Sequence, residues 1–218
     1  MTAVTANSAA KPRWRGLLHH QSFYVSLVVG VMLIAAASGT RAVVATAIFA
    51  ASVSALLGVS ALYHRRNWSA NARRWMRRLD HSMIFLLIAG TYTPFALLVL
   101  EGTMAKVILA VVWIAALAGS LVELALADAS KWIMASICVA LGWVSVVAIP
   151  DIIPAIGWFG TALLALSGVA YTAGAIIYAT KKPDPKPEVF GYHEIFHALV
   201  VLAIALQYAV IAFFVLPS

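Results

Sequence analysis

Seven long apolar stretches divide the chain, and they constrain its fold more than any other feature. Each is about 18 to 25 residues long, the length that an α-helix needs to cross the hydrocarbon core of a bilayer. None alternates apolar and polar residues in the pattern of a membrane β-strand, so all are predicted to be helices. Their approximate bounds are Ser22–Gly39, Ala42–Tyr63, Leu79–Leu100, Met104–Leu126, Trp132–Ile149, Ala155–Ala179 and Tyr192–Leu216.

The composition agrees with a chain that is embedded in lipid. Hydrophobic residues make up 63% of the chain and charged residues only 11%, too few for a water-facing surface of this size. We therefore expect an all-α integral membrane bundle of seven transmembrane helices over residues 22–218, preceded by a cytoplasmic tail, residues 1–21. The tail has neither the apolar core nor the small-residue cleavage site of a signal peptide.

Basic residues between the stretches predict the orientation, because cytoplasmic connections of membrane proteins carry an excess of Lys and Arg. With the N-terminus in the cytoplasm, all but two of the 15 Lys and Arg residues, Lys11 among them, fall on the cytoplasmic side. The exceptions are Arg41 and Lys106. The C-terminus is then external. Topology accounts for the positive charge, so the expected partners are membrane lipids and not nucleic acid.

Five polar residues lie at the ends of apolar stretches, where an ionisable side chain is costly and indicates function. Residues four apart share a helix face, so Ser60 aligns with His64, and His193 aligns with His197. Asp80 opens the third stretch. The predicted topology puts these three helix ends on the cytoplasmic side. Three histidines and a carboxylate at one depth predict a zinc site with an open position for water.

The segment His193–His197 also fits the H-E-x-x-H pattern of zinc proteases, in which the glutamate is the general base. An intramembrane site would still need a third ligand from another helix, which His64 can supply. Because Asp80 offers a separate carboxylate, Glu194 need not be the base. We expect Glu194 to support the site from outside the ligand set.

The other three histidines are assigned structural positions. His81 follows Asp80 directly and therefore points about 100° away from it on a helix. We expect His81 to pack against the bundle or to support the site. His19 and His20 precede the first apolar stretch, where a lone histidine is usually an interfacial residue.

Three sequence blocks resemble the signature motifs of the hemolysin III family, the bacterial branch of the progestin and adiponectin receptor (PAQR) superfamily. The blocks are Ser60–His64, then Leu79–Ser82 followed by Ala89–Phe95, and then His193–His197. They stand in the family's order, and the resemblance covers all seven stretches. It implies a multi-pass protein of the bacterial inner (plasma) membrane. The superfamily is grouped with the alkaline ceramidases as metal-dependent membrane hydrolases.

The resemblance implies a role for each candidate residue. Zinc would be bound by His64, His193 and His197, Asp80 would hold the metal-bound water, and Ser60 would lie beside the site. The bundle would enclose a cavity accessible to lipid. We therefore expect a zinc-dependent hydrolase, ceramidase-like amidase or esterase, that cleaves a lipid amide or ester at the cytoplasmic side. Asp80 would act as general base, and Ser60 would donate a hydrogen bond to the oxyanion.

Two functions of other classes stay open at this point. One is a membrane sensor or homeostasis protein whose zinc is structural and joins the second and seventh helices. A structural site has a fourth protein ligand, so direct coordination by Asp80 would favour it. The other is a pore-forming hemolysin, for which the sequence offers no long amphipathic segment. The sequence predicts neither the oligomeric state nor the individual substrate.

Overall fold

The chain folds into a bundle of α-helices, which confirms the predicted all-α class. The computed structural model describes residues 12–125 and 131–217; Lys11, the predicted end of the fourth stretch at Leu126 and the terminal Ser218 lie outside them. The elements in chain order are α1 (Leu17–Ala36), α2 (Thr40–Arg65), α3 (Ala70–Leu98), α4 (Gly102–Ala125), α5 (Lys131–Gly142), a 3-10 helix (Trp143–Ala148), α6 (Ile149–Thr180), α7 (Tyr192–Val210) and a π-helical segment (Ile211–Val215).

Six helical segments of the described chain are long and apolar enough to cross a membrane. One of them is a continuous run of 49 residues, Trp132–Thr180, where the sequence predicted two stretches, Trp132–Ile149 and Ala155–Ala179. The predicted connection is helical because Pro150 lies at the start of α6, where its missing N–H leaves no helical hydrogen bond unmade. Within α6 the backbone leaves helical geometry at Gly157, whose φ is 71°, and two helical parts meet there at a kink.

The basic connection between the second and third stretches is also mostly helical. Helix α3 begins at Ala70, nine residues before the predicted start at Leu79. The Ser69 side chain accepts a hydrogen bond from the Ala72 amide, which caps the helix. The following residues include Ala, Arg, Met and Leu, all strong helix formers, so the helix extends beyond its apolar part.

Helices α1 to α4 pack side by side in chain order, as do α5 to α7, and α1 also contacts α7, which brings the first and last helices together. The interior is filled by large apolar side chains such as Phe49, Phe85 and Leu57, each at most 1% exposed. Small residues let helices approach closely: a Cβ added at Gly90 would lie 2.0 Å from the Ser52 hydroxyl oxygen of α2. Helices α2 and α3 therefore form a tightly packed pair.

The outer surface is apolar, as a lipid-facing surface must be. Along α4, Ile114, Leu117 and Leu121 are 67%, 58% and 66% exposed. In water such a face would expose several large side chains in one contiguous patch. The chain is therefore a multi-pass membrane protein, with lipid as the solvent of this surface.

The junction between α5 and the 3-10 helix lies within the membrane-spanning run Trp132–Thr180, where backbone groups must find protein partners. Tyr92 of α3 provides them. Its hydroxyl donates to the Gly142 carbonyl oxygen at 2.7 Å and accepts from the Ser145 amide at 2.9 Å. This side chain stabilises an irregular backbone that would otherwise be unsatisfied.

Candidate metal centre and its cavity

The structure brings together three histidines that are far apart in the sequence. His64 lies in the last turn of α2, and His193 and His197 lie in the first two turns of α7. One nitrogen atom of each ring lies within 4.8 Å of one nitrogen of the other two. The rings meet in edge-to-face contacts because the two α7 residues are one helical turn apart and the end of α2 lies against them.

The donor set fits a divalent metal ion. A tetrahedral ion with metal–nitrogen bonds of about 2.05 Å separates its nitrogen ligands by about 3.3 Å. His64 Nε2 and His193 Nε2 are 3.2 Å apart. His64 and His197 are 9% and 3% exposed, and His193 is partly exposed. Three imidazoles at this spacing can hold a metal ion and leave the remaining position to a smaller ligand.

Asp80 and Ser60 lie beside the histidines. The Asp80 Oδ2 atom is 3.8 Å from His64 Nε2, and Ser60 lies close to the Asp80 carboxylate. Ser60 is 3% exposed. Within the described part of the chain, the mutually close ligand atoms belong to the three histidines alone, so Asp80 neighbours the group without joining it.

Glu194, the acid of the H-E-x-x-H pattern, is committed to other contacts. Its Oε2 atom accepts a hydrogen bond from the Gly191 amide at 2.9 Å, which closes the first turn of α7. Its Oε1 atom accepts from Arg15 Nε at 2.6 Å. The side chain is 2% exposed. Glu194 therefore holds the start of α7 in place and is not directed at the histidine nitrogens.

The segment before α1, which the sequence assigned to the tail, covers the histidine cluster. Besides the Arg15 ion pair, the Trp14 amide donates to the Val189 carbonyl oxygen at 3.2 Å. Gly16 has a φ of 72°, and a Cβ added there would lie 2.6 Å from the Cβ of His64. Only glycine allows the backbone to pass this close to the site.

His19 is buried beside the site, so the prediction that it lies at the membrane interface was wrong. Its ring stacks on that of His197, with centroids 3.8 Å apart and planes 6° apart, and it is 2% exposed. Helix α1 begins at Leu17, which turns His19 inward towards α7. Spacing in the sequence carries no signal for this contact, because α1 and α7 meet only in the folded bundle.

A second polar group lies next to Asp80. His81 Nδ1 donates to Glu123 Oε1 at 2.6 Å, and its Nε2 atom accepts from the Tyr178 hydroxyl at 3.4 Å. His81 thus packs within the bundle, one of the two roles that we expected, while Glu123 and Tyr178 were missed. A signal for Glu123 existed: it is an acid within an apolar stretch, and it is 6% exposed.

An elongated cavity of about 240 Å³ leads from the histidine site into the bundle. Ser60, Asp80 and His197 line one end, and most of the remaining lining is apolar. Phe95 lines the cavity 15 residues beyond Asp80 on α3, which corresponds to about 22 Å along the helix. The site is therefore the polar end of a long apolar pocket.

Comparison with known sequences supports the resemblance. The family model described as Haemolysin-III related matches residues 7–208. The protein "Hemolysin-3" of Bacillus cereus is 33% identical over 207 residues, which cover 93% of this chain and 90% of the relative. A "Hemolysin-3 homolog" of Bacillus subtilis (strain 168) is 32% identical over 136 residues, covering 62% of this chain and 61% of that protein.

Proposed function

Because the chain belongs to the Haemolysin-III-related family, within the PAQR superfamily, we propose that it is a zinc-dependent hydrolase of a lipid amide or ester. The observation that carries the proposal is the position of the histidine cluster at the polar end of a long apolar cavity. A structural metal site needs no cavity. A hydrolase needs both a metal and space for a substrate.

The metal would be held by His64, His193 and His197. Three neutral imidazoles with an open position are typical of catalytic zinc, whereas structural sites use four protein ligands. Zinc, when bound, polarises a carbonyl oxygen and lowers the pKa of a coordinated water. Glu194 and Gly16 would fix two of the ligands by holding α7 and by packing on His64.

Asp80 would orient the attacking water and accept its proton. Its carboxylate oxygen, 3.8 Å from a ligand nitrogen, is close enough to contact a molecule in the open position. Ser60 neighbours this carboxylate. Its hydroxyl lines the cavity and would donate its one proton in a hydrogen bond to the substrate carbonyl when that oxygen gains charge.

The cavity supports a long acyl chain as the apolar part of the substrate. An extended chain advances about 1.3 Å per carbon–carbon bond, so about 22 Å accommodates about 17 bonds. The carbonyl carbon would lie beside Asp80, and the methyl end would lie near Phe95. The amide or ester bond would then be placed at the polar end of the cavity.

We further propose seven crossings, with the N-terminus and the metal site on the cytoplasmic side. Trp143 Nε1 donates to Thr172 Oγ1 at 2.9 Å, and these residues stand almost equally far from Gly157 in the sequence. This contact supports a fold-back of the run Trp132–Thr180 and hence two crossings. In a Cys138→Ala background, a cysteine at Ser69 should resist an impermeant thiol reagent in intact cells and one at Gly102 should react. The reverse labelling would refute the orientation.

Hydrolysis by the full-length protein in lipid nanodiscs tests the function. The probes are 4-nitrophenyl palmitate as ester and a palmitoyl aminocoumarin as amide. We expect zinc-dependent release of fatty acid from at least one probe, with saturation at low probe concentration. A chelator should abolish the release, and added zinc should restore it. Full zinc loading without hydrolysis of either probe would instead favour a non-catalytic sensor.

A further inference from the structure

A cluster of three polar side chains lies deep in the apolar cavity, far from the histidine site. Gln207 of α7 is ten residues beyond His197, which places it about 15 Å further along the helix. Tyr171 of α6 directs its hydroxyl at the Gln207 Oε1 atom, and Ser167 lies one turn before Tyr171 on the same face. All three line the cavity.

The cluster has more hydrogen-bonding capacity than its own contacts use. The Tyr171–Gln207 contact is 3.5 Å long, beyond the usual range for two oxygen atoms. Ser167 is fully buried, and its Oγ atom has no hydrogen-bond partner among the described residues. Gln207 is 7% exposed, and its amide carries two N–H donors besides the oxygen. Polar groups in a membrane interior are costly unless they bind something.

We propose that this cluster recognises an oxygen-bearing group on the acyl chain of the substrate, a hydroxyl or a keto group near the middle of the chain. This inference rests on the proposed function, because it takes the carbonyl end of the chain to lie at the metal centre. At about 1.3 Å per bond, about 15 Å corresponds to about 11 or 12 bonds from the carbonyl carbon.

The chemistry of the three side chains matches such a group. A chain hydroxyl would donate to Gln207 Oε1 and accept from the Ser167 hydroxyl or the Gln207 amide. A keto oxygen would accept both of these donors. An unsubstituted chain would cover the cluster with methylene groups and would leave its donors unsatisfied, which costs binding free energy. The cavity therefore selects against plain chains at this depth.

A pair of fatty acids tests the inference by direct binding. Zinc-loaded full-length protein in detergent is titrated with octadecanoate and with 12-hydroxyoctadecanoate, whose carboxylates mimic the product at the metal centre. We expect the hydroxylated acid to bind about 3- to 10-fold more tightly, the effect of one or two net hydrogen bonds. Gln207→Leu should remove or reverse this preference by favouring the plain chain.

Tyr208→Phe is the matched control. Tyr208 is the next residue on α7, is 8% exposed, has a buried hydroxyl without a hydrogen-bond partner among the described residues and does not line the cavity. This variant should keep the wild-type preference. If Gln207→Leu does not fold, Ser167→Ala replaces it, with a smaller loss of the preference.

Equal affinity of the wild type for both acids would overturn the inference and leave the proposed lipid site intact. An unchanged preference in Gln207→Leu would overturn it as well, because the cluster would then only join α6 to α7. If neither acid binds, both the inference and the acyl-chain site of the proposed function fail.

Discussion

The two ends of the bundle differ in whether they bury ionisable residues. At the end formed by α2 and the start of α7, Glu194 and His197 are 2% and 3% exposed and make close side-chain contacts. At the other end, Arg41, Glu101 and Lys106 are all exposed. Burying an ionisable group at the centre of a membrane helix costs about 2.5–3.5 kcal/mol on insertion scales. Burial at one end only therefore indicates which end carries the function.

The largest difference between the ends should appear in metal binding. The double variant His193→Ala, His197→Ala should lose most of the zinc, about one ion per chain in the wild type, because one imidazole is too few ligands. The double variant Arg41→Ala, Lys106→Ala at the opposite end should keep it. Zinc content of purified protein is measured by mass spectrometry. Near-full occupancy in the histidine variant would contradict the assignment of the site.

A smaller change at the same end should separate chemistry from binding. Asp80→Asn keeps the shape of the side chain but removes the proton acceptor. Hydrolysis of the fatty-acyl probes should fall by roughly 10²–10⁴, the usual contribution of a general base, while zinc content stays near that of the wild type. Asp151→Asn, an exposed acid elsewhere, should change neither quantity.

The outcome of Asp80→Asn also decides between the hydrolase and the sensor with structural zinc. If Asp80 is a fourth ligand, the variant should release zinc and lower the melting temperature, because metal binding stabilises the folded bundle. If the variant retains both its zinc and its activity, Asp80 is neither a general base nor a zinc ligand.

The smallest of the three effects concerns the ion pair that holds the segment before α1. Arg15→Ala leaves the buried Glu194 carboxylate without its charged partner and should lower the free energy of unfolding by about 2–3 kcal/mol. The loss is below that of a fully buried pair, because Arg15 is 24% exposed and Glu194 keeps the Gly191 hydrogen bond.

Unfolding in mixed micelles of detergent and dodecyl sulfate measures this loss. Arg41→Ala is the control at the opposite end and should cost less than about 0.5 kcal/mol. Adding Glu194→Gln to Arg15→Ala should recover part of the stability, because it removes the unpaired charge. Equal losses for Arg15→Ala and Arg41→Ala would show that the two ends do not differ in this respect.

Much of the candidate site was predictable because it depends on local periodicity and membrane depth. The i, i+4 spacing of His193 and His197 put both rings on one face of a helix. The end of an apolar stretch put His64 at a bundle end. The structure brings these residues together. The H-E-x-x-H pattern was less informative, since Glu194 is used to stabilise the start of α7.

The residues that were missed depend on contacts between helices that are distant in the chain. His19 meets His197 only because α1 packs against α7. Glu123 meets His81 only because α3 lies beside α4. Periodicity assigns a face to each helix but does not say which neighbour that face meets, so these pairs were not predictable.

The sequence alone determined that the chain is a helical membrane protein with three histidines and an acid at the ends of apolar stretches. This was possible because a helix that crosses lipid must be apolar over a certain length, and because an ionisable side chain within it is costly. The tertiary structure decided that the fifth and sixth stretches are separated by a backbone break at Gly157 and not by a connection over residues 150–154. It also decided that the segment before α1 packs on His64 and that the site leads into a long cavity. These features arise from packing between helices, which no single stretch of sequence encodes.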